Sequence, residues 1–306
     1  MNERKDMIAT PPITPVPISA DAMALWDEIV RLDLAENIGE LEVKGFTVVL
    51  PEKLAPLEFT RAMHDAILAA AKRRHGIEVS DDMTADTAPE ALKSPFGMPL
   101  VYGLFEDDVF QQALLNPVVQ ALATYMVGRN AVISEYGLLI KAPGGVDLDL
   151  HTDSFMMPDP LPAMPHICNL TWIMTDYSRA NGSIAFVPGS HRYQRRPLGN
   201  EGLAQRVHVD APAGSLIAFG GNVWHGSFAR TAPGYRVSAT AYMCRPHMRT
   251  QGTFGHEVPQ AIVERNPPEF ARIMGRKLNY GWKEEGPRII TEDVFETIDM
   301  GTHPWD

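Results

Sequence analysis

A histidine and an aspartate lie two residues apart at the end of a β-like run, VDLDLHTD, in which His151 and Asp153 flank a threonine. Residues i and i+2 of a strand point to the same face, so this imidazole and this carboxylate can reach one metal ion. His225, in the apolar segment GGNVWHGSFAR, is the best candidate for a third ligand. Two histidines and one carboxylate form the facial triad that holds Fe(II) with open coordination positions. The spacing also fits a structural alternative, in which Asp153 is hydrogen-bonded beside a half-buried histidine.

An arginine on a strand that otherwise looks buried is the next candidate. Arg236 follows His225 by eleven residues, in the segment PGYRVSATAYM. Arginine is rarely buried without a partner, and its planar fork matches a carboxylate in a bidentate manner. Ser238 faces the same way and offers a hydroxyl group to the same anion. The pair indicates an anion site, and the alternative is an internal salt bridge with one of the 38 acidic residues.

The elements that must position these residues are indicated by the pattern of apolar and turn residues. From Asn130 to about Met243, eight short β runs alternate with Gly and Pro turns, which is typical of a double-sheet jelly roll or barrel. An earlier strand is predicted in GFTVVLPEKL. Helices are predicted from Asp21, over 57–74, over 107–127 with a division at Pro117, and in NPPEFARIMGRKL. We therefore expect a mainly β core with flanking helices.

Domain organisation follows from the same pattern. Residues 1–20 hold four prolines and predict a flexible N-terminal arm. Residues 21–306 are interpreted as a single domain, with a β core at about 130–246 and helical additions at both ends.

Composition excludes several classes of protein. There are 27 basic and 38 acidic residues, and a net charge of −11 argues against nucleic acid as a partner. No run of about 18 apolar residues occurs, and the first 20 residues lack the apolar segment of a secretory signal. We therefore expect no membrane partner and a cytoplasmic location. Cys168 and Cys244 lie in apolar strand-like runs and are predicted to be buried free thiols rather than a disulfide.

An ordered set of motifs resembles the phytanoyl-CoA dioxygenase family. It consists of HTD at 151–153, the turn segment RANGSIAFVPGSHR, the SLIAF strand, WHGS, and an arginine eleven residues after the second histidine. The resemblance extends from GFTVVLPEKL to about residue 246. It implies a double-stranded β-helix, which is a jelly roll similar to the cupins. It also implies an oxygenase that uses Fe(II), O₂ and 2-oxoglutarate as cosubstrate.

The resemblance assigns expected roles to individual residues. The iron ligands would be His151, Asp153 and His225, and the contacts to 2-oxoglutarate would be Arg236 with Ser238, Ser227 and Thr171. Asn181–Gly182 and Pro188–His191 would form tight turns, so His191 is expected to be a turn residue. Leu148 and Ile184 stand where some relatives carry Gln and Thr, so one pair of cosubstrate contacts is missing or supplied elsewhere.

The implied reaction decarboxylates 2-oxoglutarate to succinate and CO₂ while a small-molecule substrate is oxidised, with hydroxylation as the default outcome. The loop SFMMPDPLPAMP is expected to bring Phe155, Met156, Met157 and Met164 to the barrel mouth as an adaptable apolar surface. We therefore expect a mainly apolar substrate, such as a secondary metabolite or a free lipid-like acid. Arg192, Arg195 and Arg196 are interpreted as a solvated loop rather than a phosphate site for a CoA thioester.

Two other functions fit parts of the pattern. A cupin-type metal enzyme that does not use 2-oxoglutarate would share the β core and the histidines, but it would not need Arg236 beside Ser238. A non-catalytic binding protein could retain the fold and tolerate the loss of a metal ligand. The sequence leaves a homo-oligomer open.

Overall fold

The strands form two antiparallel sheets. A computed structural model describes residues 19–154 and 157–276. In these ranges a six-stranded sheet A has the order β1-β8-β5-β10-β3-β2, and a four-stranded sheet B has the order β4-β9-β6-β7. The strands are β1 Phe46–Val49, β2 Met98–Leu100, β3 Val132–Lys141, β4 Leu148–His151, β5 Ile167–Ile173, β6 Ile184–Phe186, β7 Val207–His208, β8 Leu216–Gly220, β9 His225–Ser227 and β10 Arg236–Cys244.

Helices precede and follow the β core. Their bounds are α1 Ala20–Arg31, α2 Ala35–Lys44, α3 Leu57–His75, α4 Asp108–Leu114, α5 Pro117–Val127, α6 Phe254–Glu257, α7 Gln260–Arg265 and α8 Pro268–Ile273. The predicted helix 107–127 is divided at Pro117, as expected, because proline lacks the N–H that a continuous helix requires. Pro117 instead begins α5, where Asn116 caps the backbone N–H of Val118 at 2.9 Å.

Alternation along the strands separates a core face from a cavity face. On β10, Val237, Ala239 and Ala241 are buried in the main apolar core, which helices such as α3 and α5 complete. The residues between them, Ser238 and Thr240, point to the other face and line an internal cavity. Each large apolar side chain buried in such a core stabilises the fold by about 1.5–3 kcal/mol. Sheet A therefore packs against the helices with its outer face and directs polar groups into the cavity with its inner face.

The predicted fold class is confirmed. All eight β runs expected between residues 130 and 246 are strands, and GFTVVLPEKL contains β1. Helix α2 and the short strand β2 were not predicted. Among the described residues, none of the helices combines the length and the apolar character that a membrane span requires. Cys168 and Cys244 are buried and free, as expected.

The predicted domain organisation stays a prediction. The arm at 1–20 lies almost wholly outside the described residues, as do residues 277–306 of the C-terminal addition. The described part of the predicted helix NPPEFARIMGRKL contains α8.

Candidate metal centre

The three predicted metal ligands lie together on sheet B. His151 ends β4 and His225 begins β9, and the two residues face each other across the antiparallel ladder. Asp153 lies just beyond β4, where its backbone N–H donates to the carbonyl of Gly221 at 2.8 Å. Its carboxylate oxygens lie 3.7 Å from Nε2 of His151 and 3.6 Å from Nε2 of His225. The three ligand atoms all lie within 4.8 Å of one another, so the three side chains could hold one metal ion.

Backbone carbonyls orient both imidazole rings. Nδ1 of His151 lies 2.9 Å from the carbonyl oxygen of Asp149, and Nδ1 of His225 lies 3.1 Å from that of Val223. A neutral imidazole that donates from Nδ1 keeps its lone pair on Nε2, which is the atom that faces Asp153 in both rings. Burial lowers the pKa of His225, although the Asp153 carboxylate opposes this shift. The surroundings therefore favour the neutral, metal-binding form of the ring.

Two residues of sheet A hold the aspartate in place. The side-chain amide of Asn169 donates to Oδ2 of Asp153, and the Tyr242 hydroxyl donates to its backbone oxygen at 3.1 Å. Asn169 on β5 and Tyr242 on β10 are direct partners across the ladder. Sequence reasoning missed both residues. The alternation of side chains along the predicted strands could have indicated them, because each falls on the inner face of its strand.

A cavity of about 560 Å³ extends from the triad between the two sheets, and this volume suits a small-molecule ligand. Four pairs of residues from β3 and β10 cross one wall in register. From the buried end to the open end these rows are Lys141–Arg236, Leu139–Ser238, Gly137–Thr240 and Glu135–Tyr242. Thr171 on β5 extends the third row, where its hydroxyl lies 3.0 Å from that of Thr240.

Arg236 occupies the buried end of the cavity without an acidic partner. Its guanidinium donates to the carbonyl of Gly182 and lies over the Tyr177 ring, 5.0 Å from the centroid. The Nε of Arg236 and the hydroxyl of Ser238 are buried and have no hydrogen-bond partner. No salt bridge reaches Arg236 from the described residues, so the internal salt bridge considered as an alternative is wrong for that part of the chain. A buried cation without a counter-ion fits an anionic ligand.

The predicted turn at Asn181–Gly182 positions this arginine. Gly182 has φ +74°, a conformation that side chains rarely adopt. A Cβ at this position would lie 2.9 Å from the backbone oxygen of Phe228 and the backbone nitrogen of Arg230. Glycine therefore lets the turn approach closely enough for its carbonyl to accept the hydrogen bond from Arg236.

Lys141 is a second cation at the buried end that sequence reasoning missed. Its side chain is fully buried, and Nζ donates to the oxygens of Pro95 at 2.6 Å, Phe228 at 2.9 Å and the Ser227 hydroxyl at 3.0 Å. Burial and the neighbouring charge of Arg236 lower the pKa of Lys141 to about 7. A lysine that ends an apolar strand is ordinarily exposed, so only its period-2 spacing from Leu139 indicated an inward direction.

None of the described residues of the loop that was expected to provide the apolar lining contributes to the main cavity. Phe155 and Met156 lie outside the described residues, and Met157 does not line the cavity. Met164 lines a separate cavity of about 210 Å³ beside His191, so the expectation for this methionine was wrong. The apolar side chains that line the main cavity are Phe96, Pro99, Val101, Leu139, Leu148, Ile184 and Phe219.

Of the three arginines after the PGSH turn, Arg192 is exposed and Arg195 and Arg196 are half-buried, and each also contacts the rest of the protein. Arg195 makes a bidentate pair with Glu201, at 2.7 and 2.5 Å. Arg196 pairs with Asp159 at 3.1 Å and donates to the backbone oxygens of Ser154 and Met157, which ties it to the loop after Asp153. Arg192 donates to a backbone oxygen of α2 at 2.6 Å. His191 lies in the same one-turn 3₁₀ segment, as predicted.

The two-sheet fold and the His-Asp-His group are those expected of the non-haem oxygenases that depend on Fe(II) and 2-oxoglutarate. Residues 41–238 match the family model described as phytanoyl-CoA dioxygenase. The chain therefore belongs to the phytanoyl-CoA dioxygenase family, which confirms the predicted family and cofactor class.

Curated relatives agree with this assignment. A dioxygenase named af480 from Aspergillus fumigatus is 26% identical over 171 residues, which are 55% of this chain and 55% of the relative. An Fe(II)/2-oxoglutarate-dependent dioxygenase named nvfF from Aspergillus novofumigatus is 29% identical over 190 residues, covering 55% of this chain and 58% of the relative. The chain thus spans about half the length of the curated relatives it matches.

Solved structures share the fold. EctD from S. alaskensis with bound Fe has a TM-score of 0.55 at 17% identity, over 76% of this chain and 84% of EctD. SnoK, a non-heme alpha-ketoglutarate-dependent carbocyclase from nogalamycin biosynthesis, has a TM-score of 0.54 at 17% identity, over 76% of this chain and 90% of SnoK.

Proposed function

We propose that this protein is an Fe(II)- and 2-oxoglutarate-dependent dioxygenase that oxidises a mainly apolar small molecule, with hydroxylation as the default outcome. One observation carries the proposal. A triad that can hold a metal opens into the same cavity as a buried arginine, and this arginine has no counter-ion in residues 19–154 and 157–276. A metal alone would explain the triad but not the arginine.

The residues have the following roles in this proposal. His151, Asp153 and His225 ligate iron on one face and leave the cavity side open. Arg236 and Ser238 bind the distal carboxylate of 2-oxoglutarate, since both have buried polar atoms that lack a partner. When bound, the metal and cosubstrate supply the oxidising power of O₂, coupled to decarboxylation of 2-oxoglutarate to succinate and CO₂. The protein positions the reactants and keeps water out of the site.

The other two predicted cosubstrate residues have supporting positions. Ser227 accepts from Lys141 and donates to the carbonyl of Pro95 at 3.1 Å, so it links the lysine to the cavity wall. Thr171 lines the cavity beside Thr240 and is available to a ligand. Leu148 and Ile184 are apolar residues of the lining.

The apolar lining supports an apolar substrate body. Because Arg195 and Arg196 already pair with Glu201 and Asp159, they form no phosphate site for a CoA thioester. We place the protein in the cytoplasm on the strength of its two free thiols, which persist in a reducing compartment.

Anaerobic titration with Fe(II) and 2-oxoglutarate tests the proposal. We expect a weak visible charge-transfer band in the native protein and none in the variants His151→Ala, Asp153→Ala or His225→Ala, because each lacks a metal ligand. His208→Ala is a matched control, since this exposed histidine of β7 lies outside the cavity lining. A native protein that binds Fe(II) but gives no band, and no succinate after O₂ is admitted, would favour the cupin-type enzyme without 2-oxoglutarate.

A further inference from the structure

One carboxylate lies in the cavity at the end opposite to the cations. Glu135 is on β3, six residues before Lys141, and both side chains belong to the inner face of sheet A. It is half-buried and pairs in register with Tyr242, which contacts Asp153. Among the described residues, no lysine or arginine forms a salt bridge with Glu135. The open end of the cavity therefore carries an acidic group that the iron chemistry does not require.

The backbone holds this carboxylate in a defined orientation. Oε1 of Glu135 accepts the backbone N–H of Tyr102 at 2.8 Å. Tyr102 has φ +55°, a left-handed conformation that is uncommon for a bulky residue and that persists only where its surroundings impose it. This conformation directs the N–H of Tyr102 at the carboxylate.

The second oxygen of Glu135 is left for a ligand. Oε2 makes no hydrogen bond within the described chain, and it lies beside Gly252, where a Cβ would be 3.2 Å away. The segment 251–252 is tied to β3, since the backbone N–H of Gln251 donates to the Ser134 hydroxyl at 2.9 Å and that of Gly252 to the Ser134 carbonyl at 2.8 Å. One oxygen is thus fixed by the protein, and the other is an acceptor without a hydrogen-bond partner among the described residues, on a side chain that lines the cavity.

We propose that Glu135 is a specificity-determining residue that binds a hydrogen-bond donor of the substrate, a hydroxyl group or a protonated amine, through Oε2. This inference rests on the proposed function, because it places the substrate at the end of the cavity that 2-oxoglutarate does not occupy. The substrate then has an apolar body, which the lining side chains contact, and a polar donor end. A substrate that ends in a carboxylate is disfavoured, since it would meet the charge of Glu135.

A purely structural role for Glu135 makes a different prediction. If it only accepts the N–H of Tyr102, glutamine serves equally well, because its amide oxygen is also an acceptor. In Glu135→Gln, the amide oxygen of the glutamine takes the place of Oε1 and accepts the hydrogen bond from the N–H of Tyr102. The amide NH₂ then replaces Oε2, so the group that faces the cavity changes from an acceptor to a donor. The same substitution therefore preserves the contact to Tyr102 but makes the side chain favour a ligand acceptor instead of a ligand donor.

Three ring compounds of similar size and shape can detect this change from a hydrogen-bond acceptor to a donor. Cyclohexylmethylammonium only donates, cyclohexylmethanol donates and accepts, and cyclohexyl methyl ether only accepts. We expect the native protein, loaded with Fe(II) and 2-oxoglutarate under nitrogen, to bind the ammonium or the alcohol more tightly than the ether in calorimetric titrations. In Glu135→Gln the ammonium should lose about 10–100-fold in affinity, the typical worth of a hydrogen bond to a charged group, and the ether should gain. Whichever of the ammonium and the alcohol binds the native protein more tightly indicates the donor group of the substrate.

Glu257→Gln is the matched control, because the Glu257 carboxylate also accepts a hydrogen bond, from Thr253 at 2.6 Å, but does not line the cavity. It should leave all three affinities unchanged. Equal binding of the probes by the native protein and by Glu135→Gln, or tightest binding of the ether by the native protein, would overturn the inference. The charge-transfer band, recorded in the same titrations, reports the proposed function separately and also shows whether the amine ligates the metal.

Discussion

The two ends of the cavity are built on the same two strands but carry opposite chemistry. At the buried end, β3 and β10 contribute the cations Lys141 and Arg236, and at the open end they contribute Glu135 and Tyr242. Six residues of strand separate the ends, which is about 20 Å. A dianionic cosubstrate suits the first end and a donor-bearing substrate the second. With the proposed function, one pair of strands separates the two ligands by charge, and both ligands extend toward the triad.

The ends also differ in how much they depend on a ligand. The acidic group at the open end is partly solvated and has one partner in the backbone. The cations at the buried end repel each other, and burial lowers the pKa of Lys141. An anion at the buried end therefore relieves an unfavourable arrangement, whereas a ligand at the open end only adds a contact.

The largest effect is expected from Arg236→Ala. Removing one partner of a buried, charge-assisted pair typically costs about 2–5 kcal/mol, so the affinity for 2-oxoglutarate should fall by about 30-fold or more. Fe(II) binding and the probe affinities at the open end should be unchanged. Anaerobic titration of each ligand measures this, with Arg192→Ala as a control, since Arg192 is exposed and outside the lining. Unfolding of the variant with undiminished cosubstrate affinity after refolding would mean a structural role.

The second prediction concerns the affinity for the metal, which should fall without any change in ligand binding at either end of the cavity. Asn169→Ala removes the amide that orients the Asp153 carboxylate. Partners of this kind contribute about 10–100-fold to metal affinity, so Fe(II) should bind that much more weakly while all three ligands remain. Competition with a chelator provides the measurement, and Asn200→Ala, at an exposed position, is the control. Unchanged Fe(II) affinity would show that Asp153 is held by the backbone alone.

Lys141→Met sharpens the comparison through pH. Lys141 is charged below about pH 7 and loses its proton above it, so the native affinity for 2-oxoglutarate should fall as the pH rises through this region. The methionine variant should bind about tenfold more weakly at pH 6 and show no such slope. A slope that persists in the variant would assign the titration to another group.

The same substitution should change the pH dependence of stability. The pKa of Lys141 is lowered from 10.5 to about 7 in the folded chain, so the unfolded chain binds the additional proton between these values. The free energy of unfolding therefore rises with pH across this window in the ligand-free native protein. In Lys141→Met this contribution should disappear, as chemical denaturation at several pH values would show.

The smallest effect is expected from Tyr242→Phe. The aromatic ring keeps its place opposite Glu135, but the hydrogen bond from the hydroxyl to the backbone oxygen of Asp153 is lost. One neutral hydrogen bond contributes about 1 kcal/mol, so Fe(II) affinity should fall about fivefold. Tyr193→Phe, at an exposed tyrosine, should have no effect. A loss as large as that of Asn169→Ala would indicate that Tyr242 also contacts the metal or its ligands directly.

Spacing within single strands predicted the triad and Arg236 because their signals are local. His151 and Asp153 share a face through a period of two, and Arg236 is conspicuous as a charge in an apolar run. Asn169, Lys141 and Glu135 could not be assigned in this way. Their roles depend on which residues face each other across β3, β5 and β10, and this register is set by strand pairing over long sequence separations.

The elements that were missed have similar causes. Helix α2 contains Gly39 and a mixed pattern of apolar and polar residues, which weakens its periodicity. The loop after Asp153 looked like a cavity lining because it is rich in methionine. Its position is set instead by Arg196, whose contacts lie about 40 residues away in the sequence.

Between the two ends, the third row contains Gly137 opposite Thr240. A Cβ built on Gly137 would meet no other atom within 4 Å. The position thus acts as an adjustable stop. Larger side chains there would shorten the distance that a substrate can slide along the wall, without moving the groups that hold its donor or the cosubstrate. With the proposed function, we expect the volume at this residue to influence regioselectivity, the choice of which carbon is oxidised, so Gly137→Ala and Gly137→Val are natural starting points for redirecting it.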